Sequence, residues 1–443
     1  MARILMATIG SLGDLHPFLA IGRELRALGH EVTVATSDKH GPRIEEAGMK
    51  FAEIPPKFPE ESEQKRVIAR FMDPRHGPDR VMGELIVPSA EATARALEPL
   101  VRDSDLVVIH PFVLSAAYYA EKAGKPWVAV PYAPMMFVTV EEPPVTHDLR
   151  RPDKLKWIGN WPLNWIMRAA LKANGRQWKV FRKIRADIGL PPEPGHPFFD
   201  HYLKKADLVI ACFSRSLGKP LAEWPKRTIQ TGFAFFDRND AVHGQPVDAE
   251  LDAFLSAGTP PIVITLGSTG VYTPGEFYPQ AWEAARRAGR RAVLLVGPEV
   301  EAIRSRITDP DCLVLNYAPH AAIFPRGCVN VHHGGLNTTG QALRAGMPQL
   351  VVPMSHDQFD NAVRVERAGC GLWLPKADFD TDRAGPLFRR LIEDPAFREH
   401  AREAAQVVAS EPGARLAAEA IDTLARRSLP RVPGLNGSNG GRA

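Results

Sequence analysis

The sequence is poor in features that mark several large classes of protein. It has only four cysteines, Cys212, Cys312, Cys328 and Cys370, scattered without a CxxC pair. That pattern argues against a disulfide frame or a zinc site and fits reduced, structural thiols in a cytosolic protein. An excess of one charge is also lacking: 55 Lys and Arg stand against 51 Asp and Glu, and a formal net charge of +4 gives no reason to expect nucleic acid as a partner. No stretch reaches the roughly 18 apolar residues of a membrane span. The opening MARILMATIG is apolar but short and runs into Gly-Ser-Leu-Gly-Asp, so it reads as a first buried strand and not as a signal peptide. A soluble, cytoplasmic protein is the expectation. A complete GxGxxG is missing as well: Gly10 and Gly13 are followed by Asp14, whose charge would repel a pyrophosphate. The first glycine turn therefore serves another purpose.

What is present is a long alternation of strands and helices. With 443 residues and 44% hydrophobic content the chain can bury two cores. A strand over 3–9, a turn over 10–14, a helix over 15–28 and a strand over 31–35 give the β-α-β opening of a Rossmann-like domain. The strand 106–109 follows, and 207–213 is read as the last strand of this domain. A second alternation has strands at 261–266, 291–296 and 312–316, with helices at 248–256 and 275–288. The first of these strands runs into Gly267-Ser268-Thr269, a turn that can offer amides to a phosphate.

The densest stretch runs from Cys312 to Asn361. A strand-like run, Cys328 to Val331, meets His332-His333-Gly334-Gly335, then Asn337, Thr338, Thr339 and a helical segment to Arg344. Exposed amides at such a helix start, with the positive end of its dipole, can hold a diphosphate, and a histidine at the mouth adds a donor. A further strand, 349–353, ends in Ser355-His356-Asp357-Gln358, so polar groups again gather where ligands bind in doubly wound sheets.

These residues resemble the nucleotide-sugar-dependent glycosyltransferases of family 1. Tyr317-Ala318-Pro319, His333-Gly334-Gly335 with Thr338-Thr339, and Pro353 to Asp357-Gln358 match that family's donor-binding signature. The GSxGD start looks like bacterial members that glycosylate macrolides, glycopeptides, sterols, flavonoids and hydroxy fatty acids. The resemblance implies an α/β protein with the GT-B fold: two Rossmann-like domains facing each other across a cleft. We place the acceptor domain at 1–225, a linker at 226–247, the donor domain at 248–410, a helix returning to the first domain at 411–430 and a flexible tail at 431–443.

It also implies roles. Asp14 occupies the place of the catalytic base, with His16 as a neighbouring candidate; taken alone, Asp14 could as well cap the helix that follows. His110, where plant-type enzymes carry an orienting aspartate, could form a dyad with Asp14 or simply close a strand before Pro111. Ser268, His333, Gly335, Asn337, Thr338 and Thr339 are candidates for the diphosphate, and Tyr317 with Ala318 for the base. Asp357 and Gln358 are candidates for the sugar hydroxyls, with a core role for Tyr317 and a capping role for Asp357 as the plain alternatives. Plant-type enzymes place a glutamate on the ribose, and here Gln341 stands there; a carboxamide accepts less strongly from paired hydroxyls, which favours dTDP-rhamnose or another dTDP-sugar slightly over UDP-glucose. No cofactor is expected beyond this donor co-substrate, and no metal, because preorganised donors can carry the leaving charge. Asp309-Pro310-Asp311 and the acids Asp378, Asp380 and Asp382 read as turns.

The partner is expected to be a small, lipophilic, hydroxylated acceptor such as a flavonoid or other polyphenol, with hydroxy fatty acid, sterol and macrolide as alternatives. Met135, Phe137, Trp161 and Trp165 are its candidate pocket residues. Between Arg150 and Arg185 eleven Lys and Arg face one acid, Asp153, which also suits weak contact with a membrane surface. A non-catalytic auxiliary homologue is the second class considered, and the presence of Asp14 argues against it. A Schiff-base phosphorylase is disfavoured because only Lys376 follows Lys226.

Overall fold

The computed structural model describes residues 1–57, 61–150, 177–193, 195–236 and 249–428, with the isolated residues 159, 162 and 175. Two entirely parallel sheets organise it. The first has seven strands: β1 (Arg3–Ala7), β2 (Glu31–Thr36), β3 (Lys50–Glu53), β4 (Leu106–Ile109), β5 (Trp127–Ala129), β6 (Leu208–Ala211) and β7 (Thr228–Gln230), in the order 3-2-1-4-5-6-7. The second has six: β8 (Ile262–Thr265), β9 (Ala292–Leu295), β10 (Cys312–Leu315), β11 (Val329–His332), β12 (Gln349–Val351) and β13 (Gly371–Trp373), ordered 10-9-8-11-12-13. Inner strands such as LVVI and AVLL are continuous apolar runs, as burial on both faces favours.

Both orders reverse direction once, between β1 and β4 in the first sheet and between β8 and β11 in the second. Such switch points open a crevice at the strands' carboxyl ends. Helix α1 (Leu12–Ala27) leaves the first crevice. Helix α2 (Glu61–Phe71) reaches toward the second sheet, where Tyr272 hydrogen-bonds Gln64 and Lys65 pairs with Glu299 at 2.7 Å. Helices α3 (Leu336–Ala345) and α4 (Gln358–Arg367) follow β11 and β12.

The last described helix, α5 (Gly413–Ser428), returns to the first domain. Its Ala417, Ala418, Ile421 and Ala425 share one apolar cluster with Leu15, Phe18 and Leu19 of α1. His30 Nε2 meets Asp422 Oδ1 at 2.8 Å across the same contact. Four short strands differ from the sequence expectation, two of them Lys50–Glu53 and Trp127–Ala129 in the first sheet. Thr228–Gln230 adds an edge strand to the first sheet inside the expected linker, and Gly371–Trp373 closes the second sheet. Each has three or four residues and too little alternation to be legible. Among the described residues no helix is long and apolar enough to cross a membrane.

Candidate active site

At the first switch point the chain leaves β1 through Gly10, whose φ of +141° suits glycine, and starts α1 with Ser11 as its cap. Ser11 Oγ accepts from the Gly13 N–H at 3.1 Å, and the Ser11 N–H donates to Asp14 Oδ2 at 2.7 Å. The Ser11 hydroxyl also donates to that oxygen, at 3.0 Å. Asp14 is thus the fourth member of a capping box and not the cap itself, which corrects the plain alternative for it. Its other oxygen, Oδ1, lies 3.3 Å from Nε2 of His110, a residue with no exposed surface. The contact is close but off-angle, so Nε2 makes no well-formed hydrogen bond. The Phe112 N–H donates to His110 Nδ1 at 3.3 Å, which assigns the ring proton to Nε2, on the Asp14 side. Burial acts to raise the Asp14 pKa, but His110 and the Ser11 bonds outweigh it and hold the carboxyl below its ordinary value.

Tyr132, beyond the end of β5, was not among the residues expected here. Its ring stacks on His110 with centroids 5.1 Å apart and planes 12° from parallel. Burial first, then the charges of Asp14 and Asp357, push its hydroxyl well above the ordinary tyrosine pKa. An aromatic shortly after a buried strand was the available signal. His16 points elsewhere: two residues apart on a helix do not share a face, and its ring lies 5.6 Å from Phe236 of the linker.

At the second switch point α3 begins at Gly335 with no side-chain cap and no acid in its first turn. Its leading amides have no intrahelical acceptor, and its dipole is uncompensated there. His333 is 7% exposed and fills the space between Gly267 and Gly335, where a Cβ on either would strike its ring. Burial, with help from His332 and His320, pushes its pKa down to about 3, so the imidazole is neutral. Its Nδ1 has no partner among the described residues. Behind it His332 is held by Gln349 Oε1 at 2.9 Å and by the Gly334 N–H at 3.1 Å.

The remaining expected donor residues divide. Ser268 is exposed, Thr338 is mostly buried in the first turn of α3, and Gln341 is half-buried one turn further along. Tyr317 is 69% exposed, whereas Ala318 is buried. Thr339 is fully buried and its hydroxyl donates to the Gly335 carbonyl at 3.1 Å, so it serves the helix. Asn337 donates from Nδ2 to the Gly13 carbonyl of the first domain at 2.8 Å. Asp357 starts α4 without a side-chain capping bond. Burial pushes its pKa up to about 7 against a 2.9 Å bond from Asn361 Nδ2, and the charge of Asp14 adds to the rise. Gln358 turns its carbonyl oxygen inward to the N–H groups of Met354 and Ser355, at 2.8 and 3.1 Å. That oxygen is engaged by the turn, unlike the outward pair the motif suggests.

On the acceptor side Met135 is half-buried in the Pro134–Phe137 turn. Phe137 lies in the core, stacked on Trp224 at 4.2 Å and edge-on to Phe213, and not in the exposed position expected of a pocket residue. Trp161 and Trp165 lie outside the described residues.

Residues 4–76 match the glycosyltransferase family 28 N-terminal domain. Residues 301–424 match the erythromycin biosynthesis protein CIII-like C-terminal domain. The chain is 31% identical to O-mycaminosyltylonolide 6-deoxyallosyltransferase of Streptomyces fradiae over 98% of its own length and 100% of the relative's. The chain belongs to the family 1 GT-B glycosyltransferases. Its fold agrees with the solved kitacinnamycin glycotransferase at a TM-score of 0.71 and 22% identity, covering 97% of this chain and 99% of the other. The glycosyltransferase VinC, solved in complex with dTDP, matches at 0.66 and 17% identity, over 96% and 100%. This glycosyltransferase uses a nucleotide-sugar donor. In it both switch-point crevices lie at one cleft, because Asn337 of α3 touches Gly13 of α1.

Proposed function

We propose that the enzyme is an inverting, metal-independent transferase that moves a hexose from a dTDP-sugar, with UDP-sugars as the second choice, to a hydroxyl of a lipophilic acceptor. The observation that carries this reading is the carboxylate of Asp14, held by Ser11 and His110 at the mouth of one domain opposite the uncapped start of α3 in the other. Asp14 takes the acceptor O–H proton as the oxygen attacks the anomeric carbon. The bond to the diphosphate breaks on the opposite side, which inverts the centre. The departing charge is received by the first amides of α3, its dipole, Thr338 and the neutral His333. His110 orients Asp14 and carries positive polarity toward it.

Asp357 faces the sugar hydroxyls. Tyr317, exposed beside the donor helix, stacks on the base, and Gln341 beside the ribose supports a deoxyribose donor. Ser268, Gly335 and Ala318 contribute backbone or hydroxyl contacts to the nucleotide. Met135 borders the acceptor, and the enzyme works in the cytoplasm. The relatives suit a macrolide-like acceptor, and a flavonoid keeps its place as an aromatic alternative of similar polarity.

The test is mass spectrometry of purified protein with dTDP- and UDP-sugars against a macrolide aglycone, a flavonol, a sterol and a 3-hydroxy fatty acid. A product with one dTDP-sugar that vanishes in Asp14→Asn supports the reading. Nucleotide binding without product from any pair points instead to an auxiliary homologue.

A further inference from the structure

Helix α1 contains Pro17 in its interior. A proline there has no N–H for the carbonyl four residues earlier, and its ring presses that carbonyl outward. The residue four earlier is Gly13, and the carbonyl that loses its helical donor is the one that receives Asn337 Nδ2 from the other domain at 2.8 Å. This carbonyl belongs to the same peptide unit as the Asp14 N–H, so whatever holds it also fixes the backbone that aims the carboxylate. Asn337 sits in the first turn of α3, among the amides assigned above to the diphosphate. The hydrogen bonds continue behind it: Asn361 Nδ2 donates to the Gly334 carbonyl at 2.9 Å and to Asp357 Oδ2 at 2.9 Å.

We infer that Asn337 is a positioning residue: its carboxamide clasps the Gly13 carbonyl freed by Pro17 and thereby couples the donor-binding helix of one domain to the base-bearing helix of the other. The sequence motif suggests that Asn337 touches the nucleotide, whereas its donor group here spans the cleft. Binding of a nucleotide diphosphate at α3 orders Asn337, and Asn337 passes that order to Asp14. Without the nucleotide the clasp is one hydrogen bond between the domains; with it, both helix starts are held from the same point. The inference rests on the donor and base assignments proposed above.

The experiment compares wild type, Asn337→Ala, Asn337→Asp, Pro17→Ala and the Asn337→Ala/Pro17→Ala double variant. Affinity for dTDP is read by calorimetry, kcat at saturating donor and acceptor, and amide exchange of residues 12–20 with and without dTDP. The expected result for Asn337→Ala is a dTDP Kd within about twofold of wild type, a kcat lower by roughly tenfold, and loss of the dTDP-induced protection of residues 12–20. Asn337→Asp falls further, because a carboxylate then faces the carbonyl oxygen. In the double variant the backbone N–H gained by Pro17→Ala recovers thermal stability while kcat stays low, and the melting temperatures of the two single changes are non-additive.

A dTDP Kd raised tenfold with kcat intact overturns the inference and makes Asn337 a donor ligand. Unchanged kcat and unchanged protection overturn it too, as does full recovery of kcat by Pro17→Ala, which reduces Asn337 to local support. If no acceptor is turned over by wild type, the function proposed above fails alone. The exchange and melting measurements then still decide the clasp.

Discussion

The starts of α1 and α3 are the same piece of architecture used in opposite ways. Each follows a buried parallel strand and a glycine turn at the switch point of its sheet. At α1, Ser11 and Asp14 satisfy each other and the first amides, and the carboxylate compensates the dipole. An anion is excluded there, and a carboxylate is left at the mouth. At α3, glycine caps the helix with no side chain, no acid follows, and the nearest ring is a neutral histidine. Its field is left for an anion that the protein does not supply. One side chain at one helix start is enough to separate a site that holds a carboxylate from one whose dipole is unopposed.

The strongest way to break this contrast is to remove the carboxylate proposed as the base. Asp14→Asn keeps an acceptor for the Ser11 N–H but cannot take a proton, so kcat should fall by about 10²–10⁴ while dTDP affinity stays the same. Calorimetry beside single-turnover kinetics checks both halves.

The next is to make α3 resemble α1. Thr338→Asp puts a carboxylate in the first turn of a helix that has none, at a position where acids favour helix stability. The fold should hold, and the dTDP Kd should rise roughly ten- to a hundredfold through lost dipole and direct repulsion. An unchanged Kd would place the diphosphate elsewhere.

Smaller effects sharpen the contrast. Ser11→Ala removes the cap of α1 and one of the two bonds on Asp14 Oδ2. It should cost about 1 kcal/mol in denaturant unfolding and lower kcat only a few-fold.

The smallest effect concerns Asp357, raised from the usual 3.8 to about 7 by burial. Below about 4 both folded and unfolded chains hold this proton. As pH rises toward 7 the unfolded chain releases it first, so this group's contribution to stability is lost with rising pH. Asp357→Asn does not titrate, and Oδ1 can still accept from Asn361. Its melting temperature relative to wild type should therefore be higher at pH 8 than at pH 5, by a few degrees.

Much of the contrast is legible in the sequence because it is written in local patterns. The apolar run before Gly10 lies close along the chain to Gly10 and Asp14, and the run before Gly334 lies close to His333 and Gly334. Three details are not legible. Ser11 and Asp14 are both good capping residues three apart, and only the backbone decides that Ser11 caps while Asp14 closes the box. Gln358 and Thr339 carry side chains suited to a ligand, yet Gln358 Oε1 and the Thr339 hydroxyl are turned to their own backbone, a choice set by burial. Asn337 and Gly13 are 324 residues apart, and no periodicity or spacing predicts that they meet. Phe137 shows the same limit from the acceptor side: an aromatic in a turn was expected to line a pocket, and packing against Trp224 placed it in the core.

The return of α5 onto α1 has a consequence for how the molecule is made. Leu15, Phe18 and Leu19 are buried in part by Ala417, Ala418 and Ile421, residues near the far end of the chain. During synthesis the first domain emerges with this apolar stripe uncovered, and the whole second domain must be translated before its cover arrives. The first domain thus completes its core last, although it leaves the ribosome first. A fragment cut between the sheets would keep the stripe exposed, and the two halves are separable only if α5 travels with the domain it covers.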